Sequence, residues 1–209
     1  MMIIALLLSG CSSQKTLKTK PMQTYINQKA GYVVLLPKEW EKKFETDVSA
    51  GFVGVNPNIA MDVIFEIGGV DYLSLDSLGD IVIDNYKKKL KNLKIIERAA
   101  SNISGNAYRV IVEGKTSDGK TVVAKTIFFE PAIGIRYYLA FIANPKDYYA
   151  NDFLFEDVAQ SFQMTKTELD LYKILATREE EEFKKKHSQE VKKYKDELDQ
   201  QKQKTDKSN

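Results

Sequence analysis

Cysteine and histidine are almost missing from this chain. Its 209 residues include one cysteine, Cys11, and one histidine, His187, which lies in a charged C-terminal segment. Because thiolates and imidazoles are the usual ligands of zinc and copper, their scarcity argues against a transition-metal site. It also leaves the central part of the chain without a histidine to activate a serine or cysteine nucleophile. The composition therefore favours a protein that is not an enzyme and that needs no cofactor.

A strong charge imbalance and a long apolar run are missing as well. The formal net charge is +2, so we expect no nucleic-acid partner. The apolar run at residues 1–8 is much shorter than the about 20 residues of a membrane-spanning helix. The glycines at positions 51, 54, 68 and 69 lack the spacing of a phosphate-binding loop and indicate turns or bulges.

The apolar run at residues 1–8 is followed by small residues and then by the lone cysteine. This order is typical of a secretion signal, although the usual positively charged residues ahead of the run are missing. Leu8-Ser9-Gly10-Cys11 closely resembles the lipobox of bacterial lipoproteins. The resemblance implies that residues 1–10 are a signal peptide and that Cys11 becomes an N terminus carrying acyl chains such as palmitate. A chance cysteine after an apolar start is the alternative.

The residues after Cys11 are polar and include Lys15, Lys18 and Lys20. This composition predicts a flexible tether over residues 11–28, between the lipid on Cys11 and a folded domain. In Gram-negative bacteria, serine rather than aspartate after the cysteine favours sorting of a lipoprotein to the outer membrane. The resemblance therefore implies a lipid-anchored envelope protein, which lies in the outer membrane and faces the periplasm if the cell is Gram-negative.

Residues 29–164 alternate between short apolar runs and turn signals, as expected for one α+β domain. Ser117-Asp118-Gly119-Lys120 is a good hairpin turn, and hairpin-linked strands indicate an antiparallel sheet. Ser74 or Asp76 could cap the first helix. The predicted strands cover residues 32–36, 51–55, 61–67, 93–99, 107–113, 121–130 and 134–143, and the predicted helices cover 75–90 and 148–162.

Several of these segments are similar to PsbP-like domains. The similarity lies in Gly31–Trp40 with its Pro-x-x-Trp ending, in Ile103–Tyr108, and in the last strand, Tyr137–Phe141, which leads through Asn144-Pro145 to a helix closing at Ser161-Phe162. The resemblance implies an antiparallel sheet flanked by helices. The family includes a photosystem subunit and a nuclear transport factor, so it implies binding or assembly rather than catalysis. No ligand or contact residue of the family maps onto this sequence.

Residues 165–209 are rich in Glu, Lys and Gln and contain no Gly or Pro. Three glutamates, Glu180 to Glu182, precede Lys184 to Lys186 by four residues, which is the favourable orientation for helical ion pairs. We predict a charged helix with a frayed end. Its sparse apolar stripe, which includes Phe183 and His187, indicates a solvated helix or, alternatively, a weak coiled coil or a partner-binding helix.

Six carboxylates between residues 62 and 84 are the candidates for acid–base or cation chemistry. Three of them share one face of the predicted helix at i, i+4 and i+8, although without the glycine turn and closing glutamate of an EF-hand loop. A solvated polar face is the simpler interpretation. The six residues are Asp62, Glu66, Asp71, Asp76, Asp80 and Asp84.

Three aromatic pairs, Phe128-Phe129, Tyr137-Tyr138 and Tyr148-Tyr149, place one ring on each side of their element. One ring of each pair should be buried in the core, and the other could line a groove or an interface. The sequon Asn102-Ile103-Ser104 is interpreted as a chance match.

Together these patterns predict a lipid-anchored envelope protein whose domain is a non-catalytic binding or assembly module with an envelope protein partner. Two alternatives remain: a hydrolase that uses carboxylates alone, and a module that binds a small ligand or a cation. Two carboxyl groups converging in a pocket would favour the hydrolase. An exposed aromatic patch would favour a protein partner.

Overall fold

The computed structural model describes residues 20–56, 58–67, 73–101, 103 and 107–167, and fifteen positions between 170 and 192. Several predictions lie outside these residues: the acylation of Cys11, the role of Asp71, the glycines at 68 and 69, the sequon around Asn102, and the frayed end of the tail. No helix among the described residues has the length and apolar character needed to cross a membrane.

The described residues form an α+β fold of antiparallel strands and helices, which confirms the predicted fold class. The charged tail is helical at its described positions from 170 to 192, as predicted. In chain order the elements are β1 (Met22–Asn27), β2 (Tyr32–Pro37), β3 (Glu41–Glu45), β4 (Ser49–Val53), β5 (Ile59–Ile67), α1 (Leu75–Lys89), β6 (Lys91–Ser101), β7 (Ala107–Lys115), β8 (Thr121–Ala132), β9 (Ile135–Ala143), α2 (Pro145–Gln160) and β10 (Gln163–Met164).

The strands form two sheets. The larger has seven strands in the order β3-β4-β5-β9-β8-β7-β6, and the smaller has three in the order β1-β2-β10. Every pairing is antiparallel. The predicted hairpin between β7 and β8 is confirmed: Gly119 has φ +83°, and its N–H donates to the Thr116 carbonyl at 2.9 Å. A side chain at Gly119 would be strained because positive φ favours glycine.

One face of the large sheet is covered by α2 and the small sheet. Odd-numbered residues of β5 and β9, such as Val63 and Leu139, are fully buried there. The rings of Phe141 and Phe155 stack with their centroids 4.9 Å apart, and the Tyr137 hydroxyl donates to the Ala30 carbonyl at 2.8 Å. The larger of the two clusters of buried apolar residues lies on this face, which therefore holds most of the core. Each buried apolar side chain of this size stabilises the fold by about 1.5–3 kcal/mol.

The opposite face is only partly covered. Helix α1 contacts β6, β7 and β8 and buries Leu78, Val82 and Ile83 against Val110 and Phe128. The predicted cap is confirmed, since the Ser74 side chain accepts a hydrogen bond from the Ser77 N–H. Because α1 lies over one side of the sheet, no helix of the described residues covers the adjoining strands β9, β5, β4 and β3 on this side, which we call the open half-face.

Three strands were not predicted. Residues 22–27, which the sequence analysis placed in the tether, form β1 and pair with β2 from Met22–Pro37 to Asn27–Tyr32. Three of the six residues of β1 are exposed, and the exposed and buried positions do not alternate regularly, so the usual strand signal is weak. Every residue of β3 is exposed, and charged side chains are common on edge strands because they discourage pairing with another chain. The third, β10, has only two residues.

Candidate functional site

A groove of about 480 Å³ lies between α1 and the open half-face. Its floor consists of outward-facing residues of β5 and β9, because alternate residues of a strand share one face. Its wall is the side of α1 that includes Ile81, Asn85 and Lys89. The floor residues pair across the two strands as Ala60 with Ile142, Asp62 with Ala140, Ile64 with Tyr138, and Glu66 with Arg136.

Apolar side chains remain exposed on this face. Ile64 on the floor of the groove is 37% exposed, and Ile81 on its α1 wall is 44% exposed. Beyond the floor, the ring of Phe44 lies directly on Gly51, where an added Cβ would meet its Cε1 at 2.0 Å. Phe44 is itself 46% exposed, so this face has exposed apolar side chains from α1 to the edge strand β3. Exposed apolar side chains gathered around a groove mark binding sites more often than scattered ones do.

The charged groups at one end of the groove have partners within the protein. The Tyr138 hydroxyl donates to Glu66 Oε2 at 2.6 Å, and burial together with the Glu66 charge raises the pKa of Tyr138. Arg136 Nε donates to Glu130 Oε1 at 3.1 Å, and both side chains are only 8% exposed. These contacts hold the end of the floor in place and leave little free charge there.

Asp62, in the middle of the floor, is different. Among the described residues no hydrogen-bond or ion-pair partner is present for its carboxylate. Asp62 is exposed, but partial desolvation beside the groove wall raises its pKa, and the nearby charge of Lys89 partly opposes that rise. The neighbouring Tyr86 hydroxyl is occupied by Thr126 Oγ1 at 2.7 Å. The groove therefore offers one unpaired carboxylate in a largely apolar surface.

The two groove carboxylates lie well apart along the floor of the groove. Asp62 and Glu66 are four residues apart on one strand, which separates their Cα atoms by about 13 Å. Paired carboxyl groups in glycoside hydrolases are about 5–9.5 Å apart. The hydrogen bond from Tyr138 also keeps Glu66 at its own end of the groove. Within the described part of the chain, no group of three or more His, Cys, Asp or Glu side chains is arranged to hold a metal ion.

The predicted carboxylate face of α1 binds protein cations. Arg98 donates to Asp76 Oδ1 at 2.7 Å and to Asp80 Oδ1 at 2.8 Å. The Tyr108 hydroxyl also donates to Asp76, and these hydrogen bonds, with Tyr108 the larger cause, lower the pKa of Asp76. Asp84 pairs with Lys87 at 2.8 Å. The three carboxylates thus connect α1 to β6 and β7 or stabilise its last turn.

Two aromatic pairs divide as predicted. Tyr137 is fully buried while Tyr138 lines the groove, and Tyr148 is buried while Tyr149 is 62% exposed. The expectation of an exposed ring fails for Phe128 and Phe129, which are both buried. The reason is that β8 is covered on both faces, so each ring enters a core of its own.

Sequence reasoning missed a buried lysine on the covered face. Lys125 in β8 is fully buried, and its ammonium donates to Asp152 Oδ1 at 2.9 Å and to Glu156 on α2. Arg109 joins the same cluster through Glu156 at 3.0 Å. A lysine inside an apolar strand was the available signal, because lysine is almost never fully buried unless it is paired.

No family model matches this chain, and no curated protein is significantly similar to it in sequence. Solved structures do resemble it. Cyanobacterial PsbP from Synechocystis sp. PCC 6803 superposes with a TM-score of 0.52 at 18% identity, covering 74% of this chain and 98% of that one. The Ran-binding protein Mog1p of Saccharomyces cerevisiae gives 0.54 at 9% identity, covering 73% and 100%. The domain therefore has the fold of PsbP and Mog1p, which confirms the predicted resemblance at the level of fold.

Proposed function

We propose that this chain is a bacterial envelope lipoprotein whose domain is a non-catalytic binding module and whose groove beside α1 is the binding site. Acyl chains on Cys11 hold the protein at the membrane, and the residues up to Lys20 act as the tether. The observation that carries the proposal is the open groove itself, with exposed apolar side chains around the unpaired carboxylate of Asp62.

The shape of the groove fits a segment of a partner protein. From Ala60 to Glu66 the floor extends about 20 Å along β5, and away from α1 it continues into open sheet. The partner segment would place apolar side chains against Ile64 and Ile81. A lysine or arginine of the segment would face Asp62, because an unpaired carboxylate is stabilised by a cation within hydrogen-bond distance.

A small amphiphilic ligand is a second candidate. The volume of about 480 Å³ lies within the range of about 300–1,000 Å³ that is usual for small-molecule sites. The hydrolase alternative has less support, since Glu66 is held by Tyr138 and lies far along the strand from Asp62. Turnover of an ester, peptide, phosphate or glycoside that disappears in Asp62→Asn would replace the binding function with a catalytic one.

Site-specific photo-crosslinking in intact cells tests the groove. A photoreactive residue at Ile64 should give a discrete protein adduct, whereas the same residue at Leu35, on the outside of the small sheet, should not. Leu35 is a matched control because its exposure, 39%, is close to the 37% of Ile64. Identical adducts from both positions would contradict a groove-specific partner, and a lipid or metabolite adduct at Ile64 would select the small-ligand candidate.

The anchor has its own test. Mass spectrometry of the wild type should detect acyl chains on Cys11, and Cys11→Ala should leave the membrane fraction. A wild type that carries no lipid, together with a Cys11→Ala variant that stays in the membrane fraction, would contradict the anchor and leave the groove proposal unaffected.

A further inference from the structure

Six exposed lysines lie together at one end of the domain, and we call them the lysine rim. They come from the last turn of α1, the first residue of β6, the last residue of β7 and the hairpin that follows β7. The rim consists of Lys87, Lys88, Lys89, Lys91, Lys115 and Lys120.

Most of this charge is not neutralised. Lys87 pairs with Asp84 at 2.8 Å, and Lys120 pairs with Asp118 at 2.9 Å. For the other four lysines, no carboxylate of the described residues is within ion-pair distance. The rim therefore presents a net positive surface on a chain whose total formal charge is only +2.

Folding does not account for the whole rim. Lysines in the last turn of α1 interact favourably with the negative end of the helix dipole. Lys91 and Lys115, however, are directly opposite each other in the β6–β7 pairing. Like charges at opposed positions destabilise a sheet, so this pair costs stability that a glutamate at either position would recover. A binding function for the positive charge explains why it is there.

The first described residues lie at the same end of the domain. Met22 at the start of β1 pairs with Pro37 at the end of β2, and the Trp40 N–H donates to the Pro37 carbonyl. Trp40 leads into β3, whose first residue pairs with Val53 at the end of β4.

The strand pairings show that this end and the rim lie along the same edge of the large sheet. Val53 pairs with Ala60, close to the start of β5, and Ile59 pairs with Ala143 at the end of β9. Ala143 pairs with Val123 near the start of β8, and Thr121 pairs with Lys115. The tail leaves from the opposite end, where Arg178 donates to the carbonyl of Ile67, the last residue of β5.

We propose that the lysine rim binds the anionic phospholipid headgroups of the membrane to which the tether leads. The choice of a membrane as the binding partner rests on the proposed anchor, but the rim shares only Lys89 with the groove and its binding does not require acylation. The tether at residues 11–19 can reach the bilayer from this end, so anchor and rim would face the same surface. The groove then lies along the side of the domain and the tail helix points away from the bilayer.

Each lysine close to an anionic bilayer strengthens binding by about 1 kcal/mol, which is about fivefold in affinity at low salt. The attraction falls off over the Debye length, about 8 Å at physiological ionic strength. Replacing Lys88, Lys91 and Lys115 by glutamine should therefore weaken vesicle binding about 100-fold. Lys89 is left intact in this triple variant because it also lines the groove.

Vesicle sedimentation of the unlipidated chain from Ser12 to Asn209 tests the proposal. The vesicles contain phosphatidylglycerol and phosphatidylcholine, or phosphatidylcholine alone. A matched control triple, Lys185→Gln, Lys186→Gln and Lys192→Gln, removes the same charge from exposed positions on the tail helix, away from the rim. We expect salt-sensitive binding to the anionic vesicles only, lost in the rim triple and kept in the control.

A stability measurement separates binding from misfolding. Lys115→Glu places an opposite charge across from Lys91, so it should raise Tm by roughly 1–3 °C while weakening vesicle binding. Equal binding by the rim and control triples, or equal binding to neutral vesicles, would overturn the proposal. Tighter binding to duplex DNA than to anionic vesicles would also overturn it, in favour of a nucleic-acid partner. None of these results depends on Cys11, on acylation or on an occupant of the groove.

Discussion

The two faces of the seven-stranded sheet differ in how much of each is covered. On the α2 side, rings such as Phe141 and Tyr137 are fully buried under the helix and the small sheet. On the α1 side, one helix covers β6, β7 and β8, and Ile64, Ile81 and Phe44 remain exposed over the other strands. The same sheet thus carries its stability mainly on one face, while the other has apolar surface left for binding.

The largest expected effect is on the covered face. Phe141→Ala removes a ring that is fully buried and stacked on Phe155, so it should lower the free energy of unfolding by about 3–5 kcal/mol. Urea unfolding followed by circular dichroism measures it. Ile64→Ala, on the next strand but on the open face, is the matched control and should cost less than about 1 kcal/mol. Similar losses from both would show that the open face is covered in solution.

A smaller loss of stability is expected when the buried lysine, Lys125, is replaced. Lys125→Ala leaves Asp152 without its cation and Glu156 with Arg109 alone. Since both carboxylates are partly exposed, we expect the free energy of unfolding to fall by about 2 kcal/mol rather than by the larger cost of breaking a fully buried pair. Lys125→Met in a Glu156→Gln background keeps the volume and removes one charge of each sign, so it should recover part of the loss. Failure of the methionine variant to exceed the alanine variant in urea unfolding would show that packing, not charge, dominates there.

On the open face, Phe44 and Gly51 provide a coupled pair. Gly51→Ala places a methyl group inside the Phe44 ring and should cost about 1–2 kcal/mol. In a Phe44→Ala background the same change should be nearly neutral. A double-mutant cycle by urea unfolding measures the coupling energy, which should be about 1 kcal/mol. Additive effects would mean that the ring does not lie on Gly51.

The smallest expected effect concerns Asp62 and pH. Partial desolvation raises the pKa of Asp62 above its ordinary value, so the folded chain keeps this proton to higher pH than the unfolded chain. Stability associated with Asp62 therefore falls as pH rises through that window, and the sign is opposite to that of a salt-bridged aspartate. Asp62→Asn should be slightly more stable than the wild type at neutral pH and equal to it in acid. Unfolding curves at both pH values check this, and a destabilised Asp62→Asn at neutral pH would reveal a cation partner.

The sequence predicts the strongly patterned elements of this fold and fails where pattern is weak. The apolar spacing that includes Leu78 and Val82 predicts α1, and the turn residues around Gly119 predict the hairpin between β7 and β8. The pattern of β1 is too irregular and that of β3 too polar to be recognised, because an edge strand gains little from apolar alternation.

The groove was only partly predictable. The sequence predicts that one ring of the Tyr137-Tyr138 pair lines a groove or an interface, but not which one. It gives Asp62 and Glu66 only as two of six candidate carboxylates. What the sequence does not show is that β9 pairs with β5, and that α1 stops short of both. Those facts depend on long-range sheet order, which local periodicity does not encode.

The most direct test of the account compares crosslinking with stability in one variant. Asp62→Lys reverses the charge of the groove floor, while Asp47→Lys makes the same change at an exposed position that is not part of the groove. With the photoreactive residue at Ile64, Asp62→Lys should lose the adduct and Asp47→Lys should keep it, and both proteins should unfold within about 0.5 kcal/mol of wild type, as surface substitutions usually do. An adduct that persists in Asp62→Lys at full yield would contradict the proposal that the partner places a cation against Asp62 in the groove.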